Sequence, residues 1–417
     1  MVAPVPDSRG NAPYSSSAYS HRFFYYTLFV FYHCEGASRS SFRAMRILIT
    51  NDQLDRRAGA DLFVRDLARY LNRAGHFVFA YGSDLRQNER FLERDSIAVA
   101  TDLERLPFRP DIIHARHHLD AMTAVLALPG VPAIYHQSLV DPPISVPRHP
   151  RIYRYVAPTE VAAERLVTDG DLDVSSVDVV ARPVDRERFA AVRKPAATLS
   201  RALLCDDRIL PHSPVVVAIR SGAGKLGLEL DLSGRNLGRV WDRPEKRFLL
   251  YDVVFASGQT AVEALASGCS VVATSPRGCG ELINDENYEH LRAADFEPPP
   301  GVVTSADTIV RTLGRYSAAA AASTPALVRR EGFALFAERL VAIYGAAIER
   351  HRTSECAPEI EQRAAADYFD RLMRVMKEVN IAQKDHGDMP IYMATMWLDV
   401  SARIAAVQAE ADKPRWW

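Results

Sequence analysis

The sequence predicts an α/β protein of two Rossmann-like, doubly wound domains facing a cleft, the second of them shortened. Three observations predict it. From Met45 onward, strand-like runs alternate with helical runs. The chain has 417 residues, more than one ordinary core holds. The stretch DVVFASGQTAVEALASGCSVVATSPRGCG, Asp252–Gly280, reads strand, tight turn, helix, strand, loop, which is half of a parallel α/β unit.

Each element has its reason. Arg46–Thr50 is a buried strand, and Asn51–Gly59 is a polar loop with the turn formers Asp52, Asp55 and Gly59. Leu62, Phe63, Leu67, Tyr70 and Leu71 then share one face of a helix. AGHFVFAYGS closes that helix and starts a second strand. Strands at Arg109–Arg116, Val131–Gln137, Arg151–Ala157 and Asp178–Val180 complete the half, with a helix at Leu119–Leu128 and a Pro-rich loop at Asp141–Pro150. Arg186–Leu210 reads as a linker. The second half opens with a strand at Pro214–Ile219 and continues through strands at Asp252–Ser257 and Ser270–Ser275. Helices follow at Ala318–Arg350 and Glu359–Lys377, and Tyr392–Ala409 reads as one more. The expected divisions are 1–44, 45–190, 195–345 and a helical extension, 346–417.

Composition narrows the function. A formal net charge of −1 argues against bulk nucleic-acid binding. The five cysteines are odd in number and lack C-x-x-C spacing, which fits a reducing compartment and argues against a disulfide framework or a zinc site. In residues 1–44, the apolar burst Phe23–His33 is too short to span a bilayer. Its Tyr and Phe content is foreign to a signal-peptide core. The reading adopted is a non-native or disordered extension, with translation starting at Met45 and a cytoplasmic protein.

Several constellations could carry chemistry. Gly258, Gln259 and Thr260 stand where a strand feeds a helix N-terminus, where free N–H groups suit a diphosphate. Glu263, on the same helix, can accept two hydrogen bonds from a vicinal diol, or it can merely answer its own helix dipole. Gly278 and Gly280 lie in the loop after the next strand. Arg220 and Lys225 flank SGAG. This is no P-loop, because Ile219 and Leu226 stand at positions that require Gly and Ser/Thr, but two cations there could neutralise a leaving diphosphate. HARHHLD brings His114, His117 and His118 to the end of a strand, where His117 or His118 could orient or deprotonate a sugar hydroxyl, and each could instead be structural. His136 is open to the same two readings. Arg65, Arg69, Arg73, Arg86, Arg90 and Arg94 could face anionic lipid, though Asp66, Glu89 and Glu93 among them favour a solvated face.

Together these stretches resemble family 4-type glycosyltransferases of the GT-B fold, over roughly Met45 to His351. AGADLFVRDLARYLNRAGH resembles the family's glycine loop and helix, with Gly59 in the loop. PVDRERF resembles its interdomain signature. DVVFASGQTAVEALASGCSVVATSPRG resembles its Glu-x7-Glu segment in a bacterial Ser-Gly variant, with Phe255 at the first glutamate. The resemblance implies an acceptor-side domain at 45–190 and a nucleotide-sugar donor domain at 195–345. Glu263 would hold the ribose, and Gly258 and its neighbours the diphosphate. Arg220 and Lys225 would form an Arg-x4-Lys clamp, and His117, beside Gly59, would serve the acceptor. The implied reaction moves a sugar from a nucleotide-diphosphate sugar to a glycan or lipid-linked acceptor. It retains anomeric configuration and has no cofactor or obligatory metal. It places the protein in polysaccharide biosynthesis, with possible peripheral contact at the inner membrane surface. The interval from Lys225 to Glu263 is several dozen residues shorter than the family pattern. Together with Phe255, this keeps two alternatives open: a catalytically impaired sugar-binding relative, and another GT-B enzyme such as a nucleotide-sugar epimerase.

Overall fold

Two sheets organise the chain. The computed structural model describes residues 44–51, 60–82, 97–100, 102–137, 146–241, 243–354 and 356–386. The N-terminal extension, the loop with Gly59, and the segments with Arg86, Arg90, Arg94 and Tyr392–Ala409 lie outside them. Both sheets belong to the unit Met45–Trp417.

The first sheet has seven parallel strands: β1 (Arg46–Thr50), β2 (Phe77–Tyr81), β3 (Ala98–Ala100), β4 (Ile112–Ala115), β5 (Ala133–His136), β6 (Ile152–Ala157) and β7 (Val177–Val179). Their order is β3-β2-β1-β4-β5-β6-β7. The order reverses between β1 and β4, so their carboxyl ends open the crevice where a doubly wound sheet binds ligands. Helices α1 (Ala60–Arg73), α2 (His118–Ala127) and α3 (Glu160–Thr168) are among the elements that cover this sheet.

The second sheet has five strands: β8 (Arg201–Cys205), β9 (Glu229–Ser233), β10 (Val253–Ala256), β11 (Ser270–Ser275) and β12 (Gly278–Leu282). Their order is β12-β11-β10-β8-β9, with β12 antiparallel. The hydrogen-bonded ladder is continuous, with β9 and β12 as its edges. The sheet has no gap at its centre. Its switch point lies between β8 and β10.

Three expectations need correction here. The supposed linker Arg186–Leu210 contains β8. The supposed strand Pro214–Ile219 is helix α4 (Pro214–Lys225). The β-branched run Val215–Val217 suggested extended chain, but Ser213 caps the helix by accepting the Val216 amide, and Pro214 opens it. Buried Val215, Val216, Ala218, Ile219, Gly222 and Ala223 then follow helical spacing. Finally, the loop expected at Arg277–Gly280 runs into the edge strand β12.

The remaining helices are α5 (Gly258–Ala266), α6 (Tyr288–Ala293), α7 (Ala306–Leu313), α8 (Ala318–Val328), α9 (Phe333–Thr353) and α10 (Pro358–His386). From Phe333 the chain returns to the first lobe, earlier than the expected division at 345. Phe333, Phe336, Leu340 and Tyr344 of α9 join the core under β1 and α1, and Tyr368 and Leu372 of α10 join the core over α2. The outgoing and returning crossings lie side by side, bridged between Val184 and Gly332.

Arg65, Arg69 and Arg73 of α1 each meet a carboxylate. Arg65 meets Asp66 at 2.8 Å, Arg69 meets Asp185 at 2.6 Å, and Arg73 meets Glu187 at 2.8 Å. The last two fasten the crossing segment to the first lobe. Among the described residues no helix is long and apolar enough to cross a membrane.

Candidate functional site

The site forms where the carboxyl edges of the two sheets meet. A cavity of about 20 Å³, room for one water molecule, is lined by Pro158, Thr159 and Arg182 on one side and Val262, Asp295 and Phe296 on the other.

Helix α5 starts at the carboxyl end of β10. Gly258 adopts φ +57°, a left-handed conformation that glycine enters at little cost. Its amide donates to the Asp295 carbonyl at 2.8 Å. The Asp295 carboxylate also lies here, 3.3 Å from where a Cβ on residue 258 would stand, and Arg182 grips it at 2.7 and 3.0 Å. Asp295 and Phe296 are themselves left-handed, at φ +55° and +59°. For non-glycine residues that conformation costs about 1–3 kcal/mol each and tends to mark functional sites. Burial pushes the Asp295 carboxyl up, against the pull of Arg182.

Glu263 lies within the cleft, its side chain 9% exposed. Arg188, from the crossing segment, reaches its Oε1 at 2.7 Å, and Gln259 Nε2 donates to the same oxygen at 3.3 Å. Gln259 also donates to the Pro183 carbonyl at 3.1 Å. Burial raises the Glu263 carboxyl and Arg188 pulls it back down. Thr260 is half-buried on the first turn of α5.

Arg220 and Lys225 are not in this cleft. Helix α4 runs antiparallel to the strands it joins, so its carboxyl end lies at the edge of the sheet away from Gly258. Arg220 is exposed on that helix, and Lys225 pairs with Asp307 of α7 at 2.7 Å. Gly222 serves packing: a Cβ there would stand 2.6 Å from the Ile309 Cβ. The cation that does reach the switch point is Arg208, just past β8. Its Nη2 donates to the Ser257 hydroxyl at 2.7 Å, and Asp206 and Glu297 hold it at 2.6 and 2.7 Å. Sequence reasoning missed Arg208 because β8 went unrecognised; the apolar run RALLC was the available signal. Gly278 and Gly280 lie on β12 beneath the segment 298–304, where Cβ atoms would meet Thr304 and Pro298 at 2.6 and 3.3 Å. They allow backbone to pack closely there.

In the first lobe, His117 follows β4 at the switch point. Its φ is +54°, strained for a histidine. Its Nδ1 lies 3.0 Å from Asp120 Oδ2, and its side chain is 22% exposed. A carboxylate can only accept, so this bond puts a proton on Nδ1. His114, His136 and His118 bond within the core. His114 bonds the Tyr344 hydroxyl at 2.6 Å and faces His136 at 3.3 Å, and His118 bonds the Tyr368 hydroxyl at 2.8 Å. Burial and then Arg116 hold His114 and His136 well below the ordinary imidazole range. Among the described residues no three His, Cys, Asp or Glu side chains gather to hold a metal.

No family model matches the chain, and no curated protein matches it in sequence. Solved structures do match in shape. A glycosyltransferase from Rickettsia africae superposes with a TM-score of 0.53 at 13% identity, covering 74% of this chain and 99% of that one. Anabaena HepE in complex with UDP-glucose gives 0.52 at 14% identity, covering 73% and 100%. The fold is GT-B. His117 follows β4 of the first sheet and α5 follows β10 of the second.

Proposed function

We propose that this chain is a glycosyltransferase that moves a sugar from a nucleotide-diphosphate donor to a glycan or lipid-linked acceptor, with retention. One observation carries the reading. Helix α5 presents its N-terminus and Glu263 to the cleft at the second sheet's switch point, beside the cation Arg208. The UDP-glucose bound in HepE, a protein of the same fold, supports a nucleotide-sugar donor.

On this reading the Gln259 and Thr260 amides and Arg208 take up the charge that builds on the diphosphate as its bond to the sugar breaks. Such preorganised donors are worth about 3–4 kcal/mol each when they meet a developing oxyanion. Glu263 accepts hydrogen bonds from the ribose hydroxyls. Across the cleft, His117 Nε2 receives the acceptor hydroxyl, with Asp120 fixing the ring. Neither a cofactor nor an obligatory metal enters the scheme.

One observation favours a second reading, a sugar-binding relative with impaired turnover. Asp295 and Glu297 already answer Arg182 and Arg208 at the start of α5. A diphosphate must displace these carboxylates or share their cations. Release of UDP or GDP from the corresponding sugar nucleotides, with and without glycan acceptors, separates the readings. Release that falls in Glu263→Gln and Arg208→Ala supports transfer. A protein that binds sugar nucleotides and never releases the diphosphate supports the second reading.

A further inference from the structure

We propose that Arg188 is the positioning residue of the donor site, tying Glu263 in the second lobe to Asp66 in the first so that one carboxylate oxygen stays turned to the ligand. This rests on the donor-site reading above.

The turn carrying Arg188 is held rigidly. Asp185 accepts the amides of Glu187 and Arg188, each at 3.0 Å, while Arg69 clamps the same carboxylate to α1. Phe189 is buried, and the guanidinium lies 4.6 Å over its ring. From there Nη2 reaches Glu263 Oε1 at 2.7 Å and Asp66 Oδ2 at 3.2 Å. The Asp66 side chain is fully buried, and that of Arg188 is 9% exposed. Both hydrogen bonds to the Glu263 carboxylate fall on Oε1, and among the described residues Oε2 accepts none.

A second observation points to a ligand. Nε and Nη1 of Arg188 are buried with no hydrogen-bond partner, and so is Oε1 of Gln259. Buried donors and acceptors left unpaired are costly and call for an explanation. Asp66 Oδ2 is unpaired in the same sense. The hydroxyl hydrogens of a vicinal diol suit Glu263 Oε2 and Gln259 Oε1, which is the ribose of the donor-site reading.

The charges around Glu263 show what Arg188 does for it. Arg188 faces it as a cation; Asp66 and Glu245, on the turn Pro244–Arg247, face it as anions. Burial and both anions push the carboxyl up, and Arg188 opposes them. Without Arg188 the group takes a proton more readily and ceases to be a pure acceptor.

The experiment is calorimetric titration of the full chain with UDP and with GDP at pH 7.5, on wild type, Arg188→Gln, Glu263→Gln, the double variant and Arg188→Lys. Arg188→Gln is expected to bind at least about tenfold more weakly and to cost nothing further in the Glu263→Gln background, because it acts through that carboxylate. Arg188→Lys restores binding and, keeping the charge, guards against a glutamine variant that fails to fold. A loss in Arg188→Gln that adds in full to that of Glu263→Gln overturns the proposal, because a structural role or independent action produces that. So does unchanged binding in Arg188→Gln when Glu263→Gln abolishes it; in that case the donor site stands and Arg188 has no part in it. A folded wild type that binds neither nucleotide overturns the donor-site reading itself.

Discussion

The amide of Gly258 donates to the backbone carbonyl of Asp295 at 2.8 Å, and the carboxylate of Asp295 stands over the same helix terminus. An acid of the chain itself thus occupies the ground where a helix dipole attracts an anion. Asp295→Asn removes the negative charge and loosens the hold on Arg182. The expected outcome is a several-fold gain in UDP or GDP affinity by titration. Weaker binding in that variant would show that Asp295 supports the site.

Arg208 and the pair Arg220/Lys225 give a second prediction. Arg208→Ala removes the cation beside Ser257 and is expected to lower nucleoside-diphosphate affinity at least about tenfold, a charge-assisted bond being worth about 1.5–3 kcal/mol. Arg220→Ala and Lys225→Ala alter an exposed helix face and a surface ion pair, so affinity stays as it is and stability moves by less than about 1 kcal/mol. Titration of the three variants side by side checks this.

What the sequence revealed and what it hid follow from the range of the forces involved. Strands β1, β4, β5, β6, β10 and β11 were legible because each is a short apolar run bounded by turn residues. Helix α5 was legible because Ser-Gly and Gly268 bracket an alanine-rich run. Strand β8, and with it Arg208, went unseen between polar segments. Helix α4 was misread because Val215–Val217 favour extended chain locally, while the Ser213 cap and packing against Ile309 decide otherwise. The left-handed Asp295 and Phe296 leave no local mark, since tertiary packing imposes their conformation. Glu263 was legible as a site residue, but its tie to Arg188 joins positions 75 residues apart.

Acid should destabilise the protein through its buried imidazoles. His114 and His136 are neutral in the folded state, with folded pKa values well below 6.5. Below pH 6.5 the unfolded chain binds protons that the folded chain refuses. Their stabilisation is therefore complete above pH 6.5 and is lost as pH falls, by about 1.4 kcal/mol per unit for each histidine. Buried Asp66, Glu263 and Asp295 have raised values and act in the opposite sense at lower pH. Urea unfolding of wild type and His136→Asn from pH 7.5 to 5.5 isolates the imidazole, because the variant should show the shallower slope.

Arg151 holds α10 to the first lobe. Its guanidinium donates to the carbonyls of Val125, Leu128 and Val131 at the end of α2, and its Nε meets Glu361 at 2.9 Å. Arg151→Ala removes these bonds and leaves Glu361 without its guanidinium, and is expected to cost about 3–5 kcal/mol by denaturant unfolding, with nucleotide affinity unchanged in the folded fraction.

The most direct measurement is calorimetric titration of the full chain with UDP and GDP, repeated on Glu263→Gln. Binding of one nucleotide by the wild type, lost or weakened at least about tenfold in Glu263→Gln, is the predicted result. A folded wild type that binds neither nucleotide, or a Glu263→Gln variant that binds as well as wild type, would contradict the assignment of α5 and Glu263 as the donor site.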